Sequence, residues 1–154
     1  MPTIPAPATR PETPDVRALR DAGLRVTAPR LAVLAAVSQH PHADADTVLS
    51  VARAQLGSVS VQAVYDVLHA LTRAGLLNQI EPAGHPARFE RRVGDNHHHV
   101  VCRTCGAVAD VDCATGHAPC LIPANDHGFS IETAEVLYWG TCPGCRAAAT
   151  SSAT

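Results

Sequence analysis

The chain contains no lysine: all 12 of its basic side chains are arginines. Aromatic residues are almost as scarce. Two Phe, two Tyr and one Trp among 154 residues leave a core to be built mostly from Leu, Val and Ala. No long apolar run is present. The longest, Leu31 to Val37, is far short of the ~20 residues needed to span a bilayer, so no membrane segment is expected. No charged-then-apolar start precedes a cleavage site, so no signal peptide is expected and the protein reads as soluble and cytoplasmic. Neither a G-x-S-x-G nor a P-loop motif occurs. The H-x-E of the cytidine deaminases is replaced by His97-x-His99 with no glutamate base after it, so the chain does not read as an enzyme. Cysteine is absent before residue 102.

What is present suits a folded protein. Apolar residues make up 46% and charged residues 17%, enough for a core, and the length fits one average domain or two small ones. The net charge of −2 excludes a protein that is basic all over, though not a local basic face. Composition changes near residue 93. Before it stand ten arginines against eight acidic side chains; after it, two against six. The expected organisation is a proline-rich flexible arm over 1–14, a first domain over 15–92, a hinge over 93–96, a second domain over 97–146 and a flexible tail over 147–154.

In the first domain a short helix is expected from Asp15 to Ala22, ended by Gly23. Thr27 caps a helix running to Gln39, with Pro29 in its first turn. Asp44 and Asp46 open a third helix to Leu56, and Ser60 caps a fourth from Val61 to Ala74. In that fourth helix Val61, Val64, Leu68 and Leu71 repeat at helical spacing as a buried stripe. Two extended runs, Leu76 to Glu81 and Ala87 to Arg91, flank a turn with Pro82, Gly84 and Pro86. This is the pattern of a winged helix-turn-helix. Its last helix turns Gln62, Ala63, Tyr65, Asp66, His69 and Arg73 outward, either to meet DNA or as a solvated face. The second domain reads as an antiparallel sheet (Val100-Val101, Ala107 to Val111, Val136 to Trp139) with one helix over Pro119 to Gly128. The fold class is therefore α+β: an N-terminal winged helix-turn-helix and a small C-terminal α/β domain.

Cys102-x-x-Cys105 and Cys142-x-x-Cys145 are two C-x-x-C knuckles. Four thiolates satisfy tetrahedral zinc and leave no open position, so the site would be structural; redox pairs are the alternative. Cys113 and Cys120 remain over, as a disulfide, as ligands with His117, or as small buried residues. If residues 97–101 are extended, His97 and His99 face one side and can share one ion. Asp110 or Glu90 would complete a mixed N/O site suited to Fe(II), Mn(II) or Zn(II). Without a metal, the same run is a polar edge strand.

Together these features resemble the ferric uptake regulator (Fur) family. The resemblance runs from about Asp15 to Arg146. It is carried by Gly23-Leu24-Arg25-Val26-Thr27 with Arg30, by His40-Pro41-His42-Ala43-Asp44, by Ser60 to Leu68 and by the H-x-H-x-x-C-x-x-C strand. The wording is closest to the actinobacterial, PerR-like branch that senses peroxide. The resemblance implies a homodimeric DNA-binding repressor with one structural Zn2+ per subunit and a regulatory Fe2+ or Mn2+. The regulatory ion would be held by His40, Glu90, His97, His99 and Asp110, and hydrogen peroxide would oxidise His97 and His40. Repression would fall on catalase or catalase-peroxidase type genes and on its own gene. Phosphate contacts would come from Arg17, Arg20, Arg25, Arg30 and Arg73. Ala134 stands where the family's additional surface metal site has a histidine, so no ion is expected there in the usual form. Readings left open are a repressor sensing iron, zinc or manganese level without redox chemistry, a metalloenzyme, and a zinc-stabilised adaptor.

Overall fold

A computed structural model describes residues 12–117, 119, 121–132 and 134–151. Four helices come first: α1 (Pro14–Asp21), α2 (Ala28–Gln39), α3 (Ala45–Leu56) and α4 (Val61–Arg73). Each begins on a side chain that accepts a backbone N–H of the first turn: Thr13 from Val16, Thr27 from Arg30, Asp44 from Thr47 and Ser60 from Ala63. Such caps stabilise a helix by about 1 kcal/mol each. The proline-rich arm stops earlier than expected, because Pro14 sits in the first turn of α1, where its missing N–H costs nothing. The rest of the expected arm, through residue 11, lies outside the described residues.

The helices pack around Leu19, Val33, Leu34, Val37, Val48, Val64, Leu68 and Leu71, joined by Ala side chains and Phe89. Deleting one such buried leucine costs about 2–5 kcal/mol. The expected stripe on α4 is corrected at one end. Val64, Leu68 and Leu71 are buried, but Val61 is 48% exposed, because it lies at the first position, beyond the reach of α2 and α3. A hairpin follows, β1 (Asn78–Ile80) against β2 (Arg88–Glu90) in antiparallel register, with Gln79 opposite Phe89. Helices α2 to α4 and this hairpin form the winged helix-turn-helix.

The second unit is a three-stranded sheet ordered β4-β3-β5: β3 (His97–Cys102), β4 (Val108–Asp112) and β5 (Leu137–Gly140). Strands β3 and β4 are antiparallel, with His99 opposite Asp110. Strand β5 runs parallel to β3, so the sheet is mixed rather than antiparallel. Antiparallel β4 already ends beside the start of β3, with Asp112 opposite His97, so the connection crosses to the other edge of β3 and β5 runs parallel to it. The helix expected over Pro119 to Gly128 is absent among the described residues there, which form bends and turns. Pro119, Pro123, Asn125 and Gly128 favour turns over a helix. The unit's helix is instead α5 (Pro143–Ser151), which takes up the tail expected from residue 147. Pro143 suits a first turn, and Ala147 to Ala149 are strong helix formers. No helix among the described residues is long and apolar enough to cross a membrane.

Candidate metal centres

Cys102 ends β3, Cys105 lies in the turn after it, and Cys142 and Cys145 flank the start of α5. The parallel pairing of β3 with β5 sets Cys102 opposite Gly140 and so brings both knuckles to one place. All four sulfurs lie within 4.8 Å of one another, and Cys105 Sγ is 3.8 Å from Cys142 Sγ. Four sulfurs at ~2.3 Å from a tetrahedral zinc are spaced about 3.8 Å apart, so the thiols fit that ion. Backbone N–H groups of Cys142, Cys105 and Thr104 pull the Cys102 thiol down to about 5. The neighbouring Cys142 and Cys105 push Cys145 up to about 12. One thiolate thus forms readily while the last resists, and a cation relieves that crowding. Gly106 closes the first knuckle at φ +71, and a Cβ there would meet His85 Nδ1 at 2.6 Å, so this position requires glycine.

The second cluster spans both units. His97 and His99 alternate with His98 along β3, so the first two share a face. The register then sets Asp110 beside His99. Glu90, at the end of β2, points into the same space and is 2% exposed. Its Oε1 is 3.0 Å from His97 Nε2 and 3.2 Å from His99 Nε2, and it accepts from Asn78 Nδ2 at 2.8 Å. Asp110 Oδ1 lies 3.6 Å from His99 Nε2 and 4.0 Å from His97 Nε2.

The histidine that joins them from the helical unit is His42, not His40. His42 Nε2 lies 3.1 Å from Glu90 Oε2 and 2.7 Å from Asp110 Oδ1. The donor atoms of His42, Glu90, His99 and Asp110 fall within 4.8 Å of one another. His40 caps the end of α2 and is exposed, outside that grouping. The backbone explains the exchange. Ala43 N donates to His40 O at 3.1 Å, closing a turn in which His42 takes the left-handed conformation at φ 61. Phe89 N then donates to Ala43 O at 2.9 Å, and the two residues form an antiparallel bridge. With Ala43 opposite Phe89, the residue before Ala43 falls beside the residue after Phe89, which is Glu90. The only local sign of this was a second histidine two positions after the first.

Burial works to raise Glu90, but hydrogen bonds from His42, His99 and Asn78 outweigh it and hold the carboxyl below the usual range. The bond to Glu90 raises His42, against its burial. Two imidazoles and two carboxylates around one point, with His97 beside them on Glu90 but outside that grouping, suit a divalent cation of the Mn(II), Fe(II) or Zn(II) type. Cys113 lies outside both clusters, with its Sγ 3.1 Å from Thr115 Oγ1; Cys120 is outside the described residues.

On the expected DNA face, Gln62, Tyr65, Asp66 and Arg73 are exposed along α4, while Ala63 is half-buried. Gln62 Nε2 donates to Asp66 Oδ1 at 2.8 Å, and Tyr65 leans on His69. Arg17 and Arg25 are exposed; Arg20 pairs with Glu12, and Arg30 donates to Arg25 O at 2.7 Å.

A winged helix tied to a small sheet through shared histidines and carboxylates, beside a four-thiol knuckle, defines a metal-responsive transcriptional regulator. Residues 21–138 match the ferric uptake regulator family, and the chain belongs to it. It is 61% identical over 133 residues to the transcriptional regulator FurA of Mycobacterium bovis, covering 86% of this chain and 90% of that protein. It is 63% identical over 123 residues to ferric uptake regulation protein 1 of Mycolicibacterium fortuitum, covering 80% of this chain and 76% of that one. The solved ferric uptake regulator of Vibrio cholerae superposes with a TM-score of 0.60 at 26% identity, over 82% of this chain and 98% of that chain.

Proposed function

We propose that this regulator is a homodimeric repressor that senses hydrogen peroxide at the site of His42, Glu90, His97, His99 and Asp110. Its targets would be genes of the catalase or catalase-peroxidase type and its own gene. The observation that carries the reading is the junction itself: His42 and Glu90 come from the winged-helix unit, and His97, His99 and Asp110 from the sheet unit. Fe2+ or Mn2+ suits this mixed donor set, and Zn2+ suits the four thiols. Iron(II) held there would supply the redox chemistry, with hydrogen peroxide giving one oxygen to the His97 or His42 imidazole and the other leaving as water; manganese(II) would not supply it.

The protein's own part is geometric. His42 and Glu90 meet His99 and Asp110 only while the two units are closed on each other, with His97 adjoining through Glu90, so loss of one donor would bias the pair toward an open state. Closure holds the α4 helices of a dimer at the spacing of one operator. His97 is the oxidation target retained from the sequence, and His42 takes the place given to His40. Gln62, Tyr65 and Asp66 would read base edges, and Arg17, Arg20, Arg25, Arg30 and Arg73 would contact phosphates. The exposed Ile122 and Phe129, at 89% and 73%, support a further apolar interface such as a second subunit.

The test is operator retention by the Fe(II)-loaded and Mn(II)-loaded protein before and after dilute hydrogen peroxide, with peptide mass spectrometry on the same samples. Release from the iron form alone, with one added oxygen on the His97 or His42 peptide, supports the reading. Release only on chelation, in both forms, replaces it with sensing of metal level.

A further inference from the structure

Arg92 lies in the connection between the two units and grips three carboxylates at once. Its Nε donates to Asp95 Oδ2 at 2.6 Å, its Nη2 to Asp112 Oδ1 at 2.7 Å and its Nη1 to Asp110 Oδ2 at 3.4 Å. This divides Asp110. Its Oδ1 faces His42 and His99, while its Oδ2 faces the guanidinium. Asp95 is divided too, with Oδ2 on Arg92 and Oδ1 2.7 Å from His97 Nδ1. One planar fork therefore borders the donor cluster on two sides. Among the described residues no other arginine pairs with Asp110.

We infer that Arg92 is a positioning residue for the regulatory ion, holding Asp110 to a single donor oxygen and so biasing which divalent metal the site prefers. The inference rests on the site reading above. A carboxylate free of Arg92 can offer both oxygens, and a fixed positive charge beside the ion is removed with it. An oxygen-seeking ion that accepts high coordination numbers, such as Mn(II), gains from the second oxygen. Zn(II), satisfied by four ligands and favouring imidazole, gains little. Lysine keeps the charge but not the fork, and cannot hold three carboxylates in one plane.

The experiment measures equilibrium binding of Mn(II), by electron paramagnetic resonance, and of Zn(II), by competition with a chromophoric chelator. It uses the full chain with its thiol site already filled with zinc. In Arg92→Gln the ratio of Mn(II) to Zn(II) affinity is expected to rise by about tenfold, the lower end of what such outer partners control. Arg92→Lys should fall between Gln and wild type. A role confined to folding would weaken both ions in parallel and leave the ratio unchanged, and that result would overturn the inference, as would a falling ratio. Should Arg92→Gln fail to fold, Asp112→Asn loosens the same guanidinium from a residue that is 84% exposed and outside the donor cluster, and a smaller rise is expected. If the wild type takes up no second ion, the site reading fails and this inference with it. If it does and the ratio does not move, only the role of Arg92 fails.

Discussion

His42 Nε2 lies 2.7 Å from Asp110 Oδ1, although 68 positions separate the two residues and they belong to different units of the fold. Without a cation this contact is an ion pair or a hydrogen bond that holds a proton between the units. An ion entering the cluster must displace that proton, so metal binding and domain closure share one atom.

A pH dependence follows. Glu90 and Asp110 raise His42 above its ordinary value of 6.5, so its contribution to stability is complete below 6.5 and is lost as pH rises through the raised value. Glu90 is held below its ordinary 4.5, so its contribution is present above 4.5 and is lost as pH falls through the lowered value. With zinc in the thiol site and no second ion, the protein is therefore expected to melt at a higher temperature near pH 6 than near pH 8, with His42→Gln flattening that difference. Calorimetry on both proteins checks it. The affinity for a second ion should move the opposite way, tightening as pH rises, because the imidazole must give up its proton.

The four thiols staple β3 to the start of α5, and among the described residues of the sheet unit the buried side chains are few, chiefly Val101, Cys102, His98 and His99. Cys102→Ser is expected to lose zinc and unfold this unit. Structural zinc contributes on the order of 10 kcal/mol in small domains. Zinc content and circular dichroism on the same sample check this. A zinc-free variant that melted like wild type would remove the structural role.

Arg73 is exposed in the last turn of α4. As a phosphate contact, Arg73→Ala should weaken binding to all DNA sequences alike and reduce the slope of log K against log salt by about 1. Gln62→Ala should instead change base preference, costing about 1–3 kcal/mol at one position. Fluorescence anisotropy across a salt series separates the two.

Much of this was legible from local chemistry. Thr27 and Ser60 announced their helices because a cap needs only its own first turn, and Asp44 and Asp46 marked the start of α3 through the helix dipole, with Asp44 proving to be its cap. The C-x-x-C pairs announced their cluster because each knuckle is a local unit. What failed depended on distant residues. Val61 matched the helical stripe, but no neighbour covers the first position of α4. The direction of β5 is set by its pairing with β3, which no period along the chain records. That His42 stands beside Glu90 while His40 caps α2 rests on the bridge from Ala43 to Phe89, 46 residues away, which no local pattern records.

The central claim, that one ion site bridges the two units through His42, is tested most directly by comparing second-metal affinity in His42→Ala and His40→Ala, measured by Mn(II) titration of the zinc-filled protein. The account predicts a loss of 10-fold or more, roughly, for His42→Ala and little change for His40→Ala. Full affinity in His42→Ala, with the loss transferred to His40→Ala, would contradict it.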